Sequence, residues 1–548
     1  MRKGFAGRHA RSWLASLSLV VAPLAADAQR LPEGERATET GRPNWMIAWS
    51  PLSPLADNTR ILPRAPSMPE LLTAPPPRIG LFWGGGNPAA LPQETRTKFA
   101  DVRLTTADDA GSYRRPLDPV RSTATQLSTS AWQPVGARGA AVGHVQVDRE
   151  NGMPSSSAVF SNPYASNPLI VTDSTIPPMQ RVRARLEGAM GWETGPWAAG
   201  LAIGVEARDH RTSQSSVPRI VRVATPALTL GATRSIPFGA IRLSAYSRWQ
   251  SSNETAIITP LARPGTVFQL EGYSEVDPRR FPELSYFRRA ERQANSIGIG
   301  VGGSAAGAAW NVYAERARRS DNLSSDLLRE RAGDGWRAKG GEFGVAAQRL
   351  APASRFLVTI RGRYSNLAGD ATRADLSGSI FRTAESSLTG EADIRYAPSN
   401  SRWLAGTTLS AMRERRDRQD FIAELGSNID SWTSGGSVEI GRHITARTSI
   451  AGSASVAFHV ATAQIPNPES LGPLYVRLFA PELALHSTPA RPTATSLTIR
   501  HAGRGNTVFW VRGRRESLAP SGNGAAVPFT PIGSRVYWAA SLGVTTGR

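Results

Sequence analysis

Apolar and polar residues alternate with a period of two in run after run of this chain, and the runs are separated by turn chemistry. Between 181 and 192, Val182, Ala184, Leu186, Gly188, Met190 and Trp192 fall on one side, and Arg181, Arg183, Arg185 and Glu187 on the other. After Glu193-Thr194-Gly195-Pro196 the pattern resumes, with Trp197, Ala199, Leu201, Ile203 and Val205 opposite Ala198, Gly200, Ala202, Gly204 and Glu206. It returns as Ile241, Leu243, Ala245 and Trp249 against Arg242, Ser244, Tyr246 and Arg248, and as Phe356, Val358, Ile360 and Tyr364 against Thr359, Arg361, Arg363 and Ser365. Successive side chains of a strand point to opposite faces, whereas a helix would scatter these sets around its circumference. Runs of about eight to twelve such residues are long enough for a tilted strand to cross a bilayer.

The connections strengthen this reading. Short turns are expected around Pro237, Ala351-Pro352-Ala353, Pro398-Ser399-Asn400 and Ile444-Thr445, alternating with long polar stretches near 209–224, 250–265, 319–337, 413–431 and 516–533. The pattern predicts an all-β protein, a single transmembrane antiparallel barrel of about 16–18 strands with short periplasmic turns and long extracellular loops. Trp192, Trp197, Trp249, Trp403, Trp432 and Trp538 fall at or near strand ends, where aromatic residues anchor a barrel at the membrane interfaces.

The start of the chain sets the compartment. Arg2, Lys3, Arg8 and Arg11 precede an apolar stretch from Trp13 to Leu24 and then Ala26-Asp27-Ala28, the order of a secretory signal peptide ending near Ala28. The expected organisation is a leader at 1–28, a Pro-rich, largely extended periplasmic arm at 29–95, a candidate first strand near 98–105 within 96–137, and the barrel from 138 to 548. Within the arm, the apolar cluster Trp45-Met46-Ile47-Ala48-Trp49 offers a docking point for a periplasmic protein or for the lumen.

Composition narrows the function classes. The 548 residues include no cysteine, which excludes a disulfide framework, a thiolate metal site and a cysteine-linked lipid anchor. The formal charge is +20, and Lys3, Lys98 and Lys339 are the only lysines, so the balance is arginine scattered along strands and loops. Nucleic-acid binding calls for a concentrated basic run, and none is present.

Candidate chemistry is sparse. Gly298-Ile299-Gly300-Val301-Gly302-Gly303 has dinucleotide-fingerprint spacing, but Arg292, Gln293 and Asn295 precede it in place of a buried apolar strand. It reads as a hairpin turning at 304–307 whose small residues face a crowded interior. The seven histidines lack metal-site spacing, and no cofactor or catalytic residue is read from the chain. A hydrolytic site would need a nucleophile beside a histidine base, such as His144 meeting a strand serine. The suggestive set lies on the polar faces: Arg181, Arg183, Arg185, Arg242, Arg248, Arg361 and Arg363, with Glu187, Glu206, Glu271 and Glu275, are expected to line a lumen. Arginine rings favour anions, while cross-strand carboxylates neutralise them.

From Asn162-Pro163-Tyr164 through the 181–208 hairpin to Phe268-Gln269-Leu270-Glu271-Gly272-Tyr273, the chain resembles a bacterial family of large outer-membrane β-barrel proteins of uncharacterised role. The resemblance implies an outer-membrane address, with membrane lipid and the barrel assembly machinery as partners. In the last strand Val536, Trp538, Ala540, Leu542 and Val544 alternate, but Thr545-Thr546-Gly547-Arg548 stands where such barrels usually finish on an aromatic residue. TonB-dependent transporters are similar in barrel length but carry a folded plug much larger than this arm. The expected function is porin-like passage of small polar solutes, anions among them. The alternative is a non-conducting envelope scaffold that binds a surface protein or glycan through its loops or arm. An enzyme is not expected.

Overall fold

The computed structural model describes residues 86–93 and 98–547, apart from parts of the connections between strands, the longest being 154–168, 326–334, 467–474 and 522–530. The leader, the apolar cluster around Trp45 and Trp49 and the turn at Pro237 lie outside the described residues.

The strands run in chain order as β1 (Phe99–Gly111), β2 (Arg121–Val135), β3 (Gly139–Met153), β4 (Leu169–Asp173), β5 (Met179–Thr194), β6 (Trp197–Thr212) and β7 (Arg219–Ile236). They continue as β8 (Ile241–Ile258), β9 (Thr266–Glu271), β10 (Glu275–Arg280), β11 (Tyr286–Ala305), β12 (Ala308–Ser325), β13 (Gly335–Ala351) and β14 (Phe356–Arg373). The last are β15 (Gly378–Tyr396), β16 (Trp403–Asp420), β17 (Leu425–His443), β18 (Thr448–Gln464), β19 (Thr493–Ala502), β20 (Thr507–Leu518) and β21 (Arg535–Gly547). Two short helices are described: a 3-10 helix at Pro88–Gln93 and α1 at Ala480–Ser487.

Eighteen of the strands form one antiparallel sheet that closes on itself, because β1 pairs with β2 on one side and with β21 on the other. The seam runs in unbroken register from Phe99↔Gly547 to Gly111↔Arg535. Closure satisfies every strand edge, a requirement in hydrocarbon, where an unpaired amide costs several kcal/mol. The barrel begins at Phe99 and not at 138, and the candidate strand at 98–105 is the first half of β1.

β4, β9 and β10 form a separate three-stranded sheet built from the connections between β3 and β5 and between β8 and β11. Glu271 and Glu275 sit on β9 and β10, so they are not positions of the barrel wall; this corrects their assignment to the lumen. The alternation at 266–271 is real, but a hairpin in a connection shows the same period as a stave.

Connections differ between the two rims. At one rim lie tight links such as β5–β6, where Thr194 pairs with Trp197 and Gly195 takes a positive φ of 59°. At the other lie the connections that carry β4, β9, β10 and α1. The long loop expected at 413–431 is instead a tight turn: β16 runs to Asp420 and β17 starts at Leu425, with Glu424 at φ 54°. Strands there project far enough that both faces are polar, and the alternation fades although the hydrogen-bonded ladder continues.

Candidate functional site

The exterior follows directly from the alternation. Leu186, Met190, Leu201, Ile203, Ile297, Ile299, Leu409, Val438 and Leu542 are all exposed on the outer face, while Glu187, Gln146, Asp148, Glu206, Arg248 and Glu315 are buried on the inner one. The six predicted tryptophans are exposed on the outer face in two tiers. Trp192, Trp197 and Trp403 lie at the rim of tight turns; Trp249, Trp432 and Trp538 lie further along their strands, separated from the first tier by about 25 Å, the height of an apolar band. Four of them stand directly opposite an arginine in the register: Trp197↔Arg234, Trp403↔Arg442, Trp432↔Arg413 and Trp538↔Arg515. In three pairs the guanidinium stacks on the ring, at 5.0, 5.1 and 5.2 Å from the centroid.

The inner wall is polar and largely self-neutralised. Arg181 meets Glu150 at 3.2 Å and Arg183 meets Glu206 at 2.7 Å. Arg208 shares Glu206, Arg185 binds Glu187, and Arg363 binds Glu342. Arg361 lies 3.3 Å from Glu391, and Arg248 lies 3.6 Å from Glu315. Arg242 is also on the inner face, half-buried. The arginines therefore form no bare cationic ring; neighbouring strands supply carboxylates two residues or one strand away.

Aromatic rings laid over glycines reinforce the same wall. Tyr246 on β8 stands opposite Gly298 on β11, which in turn stands opposite Glu315 on β12. The ring crosses the glycine, where any Cβ would overlap it, and its hydroxyl donates to Glu315 at 2.6 Å. Tyr313 crosses Gly344 in the same way and donates to Glu342 at 2.5 Å. Gly298 is thus a seat for Tyr246 in a hairpin in which Ala305 pairs with Ala308. A similar joint strengthens the closing seam: Trp510 covers Gly543, and Arg103 stacks on its ring at 4.8 Å.

Two segments occupy the lumen side of this wall. The first is the 3-10 helix at Pro88–Gln93. Asn87 caps it, its side-chain oxygen accepting from Ala89 N at 3.0 Å, and Pro88 takes the first helical position, where no N–H is needed. It rests on three inward glycines that are neighbours in the register, Gly191↔Gly200 and Gly200↔Gly231. A Cβ on Gly191 would lie 2.5 Å from Pro88 O; on Gly200 it would overlap the Pro88–Ala89 peptide, and on Gly231 the Asn87 side chain. The Asn87 amide donates to Ala232 O and Ala245 O at 3.2 and 3.3 Å. Leu91 is fully buried among Trp132, Ala140, Ala189 and Ala202.

The second segment is α1, at the opposite rim. Glu482 faces Arg418 at 3.5 Å and Arg416 at 3.9 Å, both inward on β16. His459 on β18 uses both ring nitrogens, on Thr433 Oγ1 at 3.0 Å and His486 O at 3.1 Å. Leu485 packs with Tyr113, Ala490 and Leu518, tying the β1–β2 and β18–β19 connections together. Burial pushes the Tyr113 hydroxyl up to about 12, and burial beside Arg416 and Arg418 holds His486 well below its usual 6.5. A cavity of about 240 Å³ opens on the inner faces of β16–β21, lined by Ser410, Ser437, Ser455, Arg514, Glu516 and Tyr537.

Sequence reasoning set Glu187 and Glu206 against the arginines but did not find α1 or the glycine row, the latter because it depends on register between strands. Ser130 Oγ does lie 2.8 Å from His144 Nδ1, but the other ring nitrogen faces the Gln146 amide oxygen at 3.4 Å. Glu187, opposite His144, is engaged by Arg185, so the group reads as satisfied wall polarity. Among the described residues no cluster of metal-ligating side chains occurs.

A closed barrel with an oily exterior and a charged interior defines an outer-membrane β-barrel protein. No family profile matches the sequence, and no curated relative does. Among solved structures the chain is similar to the copper transporter OprC, with a TM-score of 0.40 and 10% identity over 83% of this chain and 81% of that one. It is also similar to the unliganded ferric citrate transporter FecA, at 0.40 and 9% over 82% and 79%. A third is the siderophore receptor PirA from Acinetobacter baumannii, at 0.38 and 8% over 83% and 81%.

Proposed function

We propose that this protein passes small polar solutes across the outer membrane through its lumen, and that the 3-10 helix and α1 narrow the path. The observation that carries this reading is the inner wall, polar and paired in charge apart from the apolar seat of Leu91, beneath an apolar outer face. A polar lumen wall of this kind suits a water-filled passage, as in barrels that conduct. The two tryptophan tiers act as the interface girdles. Because Arg181, Arg183, Arg361 and Arg363 are neutralised across strands and Arg185 along its own, anion preference is weak. What bias exists comes from the wall near the seam, where Arg500 and Arg512 stand beside the ion pairs Arg103–Asp101 and Arg514–Glu516.

Planar-bilayer recording tests the proposal. It predicts discrete conductance with a small anion-directed reversal potential in a salt gradient. A correctly folded protein that conducts nothing supports the scaffold reading, which the two inward segments favour, and overturns the channel.

A further inference from the structure

The outer surface above the apolar band is ringed by charged residues, and many of the cations in the ring have an acid. Arg413 holds Asp430 at 2.7 Å, Arg382 holds Asp370 at 2.8 Å, Arg211 holds Asp209 at 2.8 Å and Arg289 holds Glu291 at 2.6 Å. Arg415 with Asp417 at 3.1 Å and Arg121 with Asp108 at 3.0 Å follow the same rule. Among the described residues Arg149 and Arg515 stand singly without one, Arg515 stacked on Trp538, and one sector gathers four such cations. On β12 and β13, Arg316, Arg318, Arg337 and Lys339 are all exposed on the outer face, and no carboxylate among the described residues lies within ion-pair distance of them.

The register packs these four closely. Arg318 stands directly opposite Lys339, Arg316 opposite Gly341 and Arg337 opposite Ser320. With strands about 4.8 Å apart and about 6.8 Å between alternate residues, the patch is roughly two strands wide and 14 Å tall. Like charges directly opposite across a strand pair oppose folding, so the arrangement calls for an external anion. The remaining neighbours are neutral: Asn295 and Gln293 on β11, and Ala368 on β14. Asp370 stands opposite Arg337 but is engaged by Arg382.

The height of the patch identifies the anion. Asn295 pairs with both Trp249 and Arg318, which puts Arg318 and Lys339 in the same register row as the upper tryptophan tier. One step toward the opposite rim, Arg316 faces Ile297, and a step further Ala314 lies between Ile299 and Phe343, all on the apolar band. The cations therefore stand where acyl chains end and headgroups begin. We propose that Arg316, Arg318, Arg337 and Lys339 form a binding site for the phosphate groups of a membrane lipid, whose chains lie on Ile297, Ile299, Phe343 and Val345. Guanidinium groups grip phosphate oxygens in pairs, and the lysine adds a point charge. Continuity with the apolar band selects a lipid phosphate over a free ion.

The test uses the full chain in detergent and native mass spectrometry, with lipid A as the diphosphorylated glycolipid probe and its dephosphorylated form as the comparison. The wild type is expected to retain lipid A, and the triple variant Arg316→Gln/Arg318→Gln/Lys339→Gln to bind it about a hundred-fold more weakly, at roughly five-fold per lost charge near a headgroup. Arg413→Gln/Arg415→Gln, which removes cations already paired with aspartates, should bind like the wild type. Arg318→Gln alone gives a smaller loss of the same sign and guards against misfolding of the triple variant. Equal retention by the triple variant, or equal retention of the dephosphorylated lipid, overturns the site. Retention of inorganic phosphate by lipid-free protein at the wild-type lipid level overturns the lipid as its source.

Discussion

Replacing Gly200 by valine should unseat the segment at 87–91 from the lumen wall while leaving the barrel closed. The glycine is the centre of the row Gly191, Gly200, Gly231, and a Cβ there overlaps the Pro88–Ala89 peptide. Main chain cannot rotate aside as a side chain can, so the segment must leave its seat. What the wall contributes can be bounded from the contacts: burial of Leu91 stabilises by about 1.5–3 kcal/mol. The two hydrogen bonds from Asn87 add about 1 kcal/mol each. Loss of the whole set, some 3–5 kcal/mol, corresponds to an increase in opening of about 10²–10³-fold or more. Hydrogen–deuterium exchange of the peptide containing 86–93 reads this directly, and single-channel conductance should rise because the lumen gains cross-section. Leu91→Ala approaches the same contact from the other side and should lose about 2–5 kcal/mol of seating with the glycines intact. If Gly200→Val keeps wild-type protection at 86–93 and wild-type conductance, the reasoning about the glycine row is wrong.

Three further outcomes follow from the inner wall and α1. Gly298→Ala forces a methyl into the Tyr246 ring and should destabilise by about 1–3 kcal/mol in urea unfolding, with Tyr246→Ala added in the same chain restoring part of the loss. Glu206→Gln frees Arg183 and Arg208 from their shared carboxylate, so reversal potentials should move toward anion selectivity; an unchanged potential would show that these residues lie off the conduction path. Acid should loosen α1: docked His486 has a lowered pKa and the undocked residue the ordinary 6.5, so protons bind the undocked form better and docking weakens as pH falls below 6.5, by up to about 1.4 kcal/mol per pH unit. Conductance or exchange at 480–487 should show this step in the wild type, and His486→Gln should remove it.

Much of the wall could be read from residue alternation alone. Period two assigns Arg181, Arg183, Arg185 and Glu187 to one face and Leu186, Met190 and Trp192 to the other without knowing any partner strand, and the barrel keeps that assignment. Alternation says nothing about which strands are staves, so it assigns Glu271 to the lumen although β9 belongs to a separate sheet. It also fades where strands rise above the membrane, as in β16 and β17, where Arg413 and Asp430 face outward in water and the run resembles a loop. The arginines were legible as inward and as facing cross-strand carboxylates, but the individual partners were not, because Glu206 reaches Arg183 across a strand boundary. The glycine row was invisible for the same reason, since 191, 200 and 231 become neighbours only in the folded register. Only Gly86-Asn87-Pro88 carried a local sign of it, as the capped start of a short helix.

Closure of the cylinder at the β1–β21 seam is the claim on which the rest depends, and a designed disulfide tests it most directly. Thr105 and Ser541 are opposed across the seam, their hydroxyls 2.9 Å apart, and the natural chain has no cysteine to interfere. Opposed residues of an antiparallel pair are close enough for a disulfide. Thr105→Cys/Ser541→Cys should therefore oxidise in folded protein almost completely, giving a circular species that migrates differently on denaturing gels until it is reduced. Two free thiols that remain reactive to maleimide under the same conditions would mean that the first and last strands do not meet.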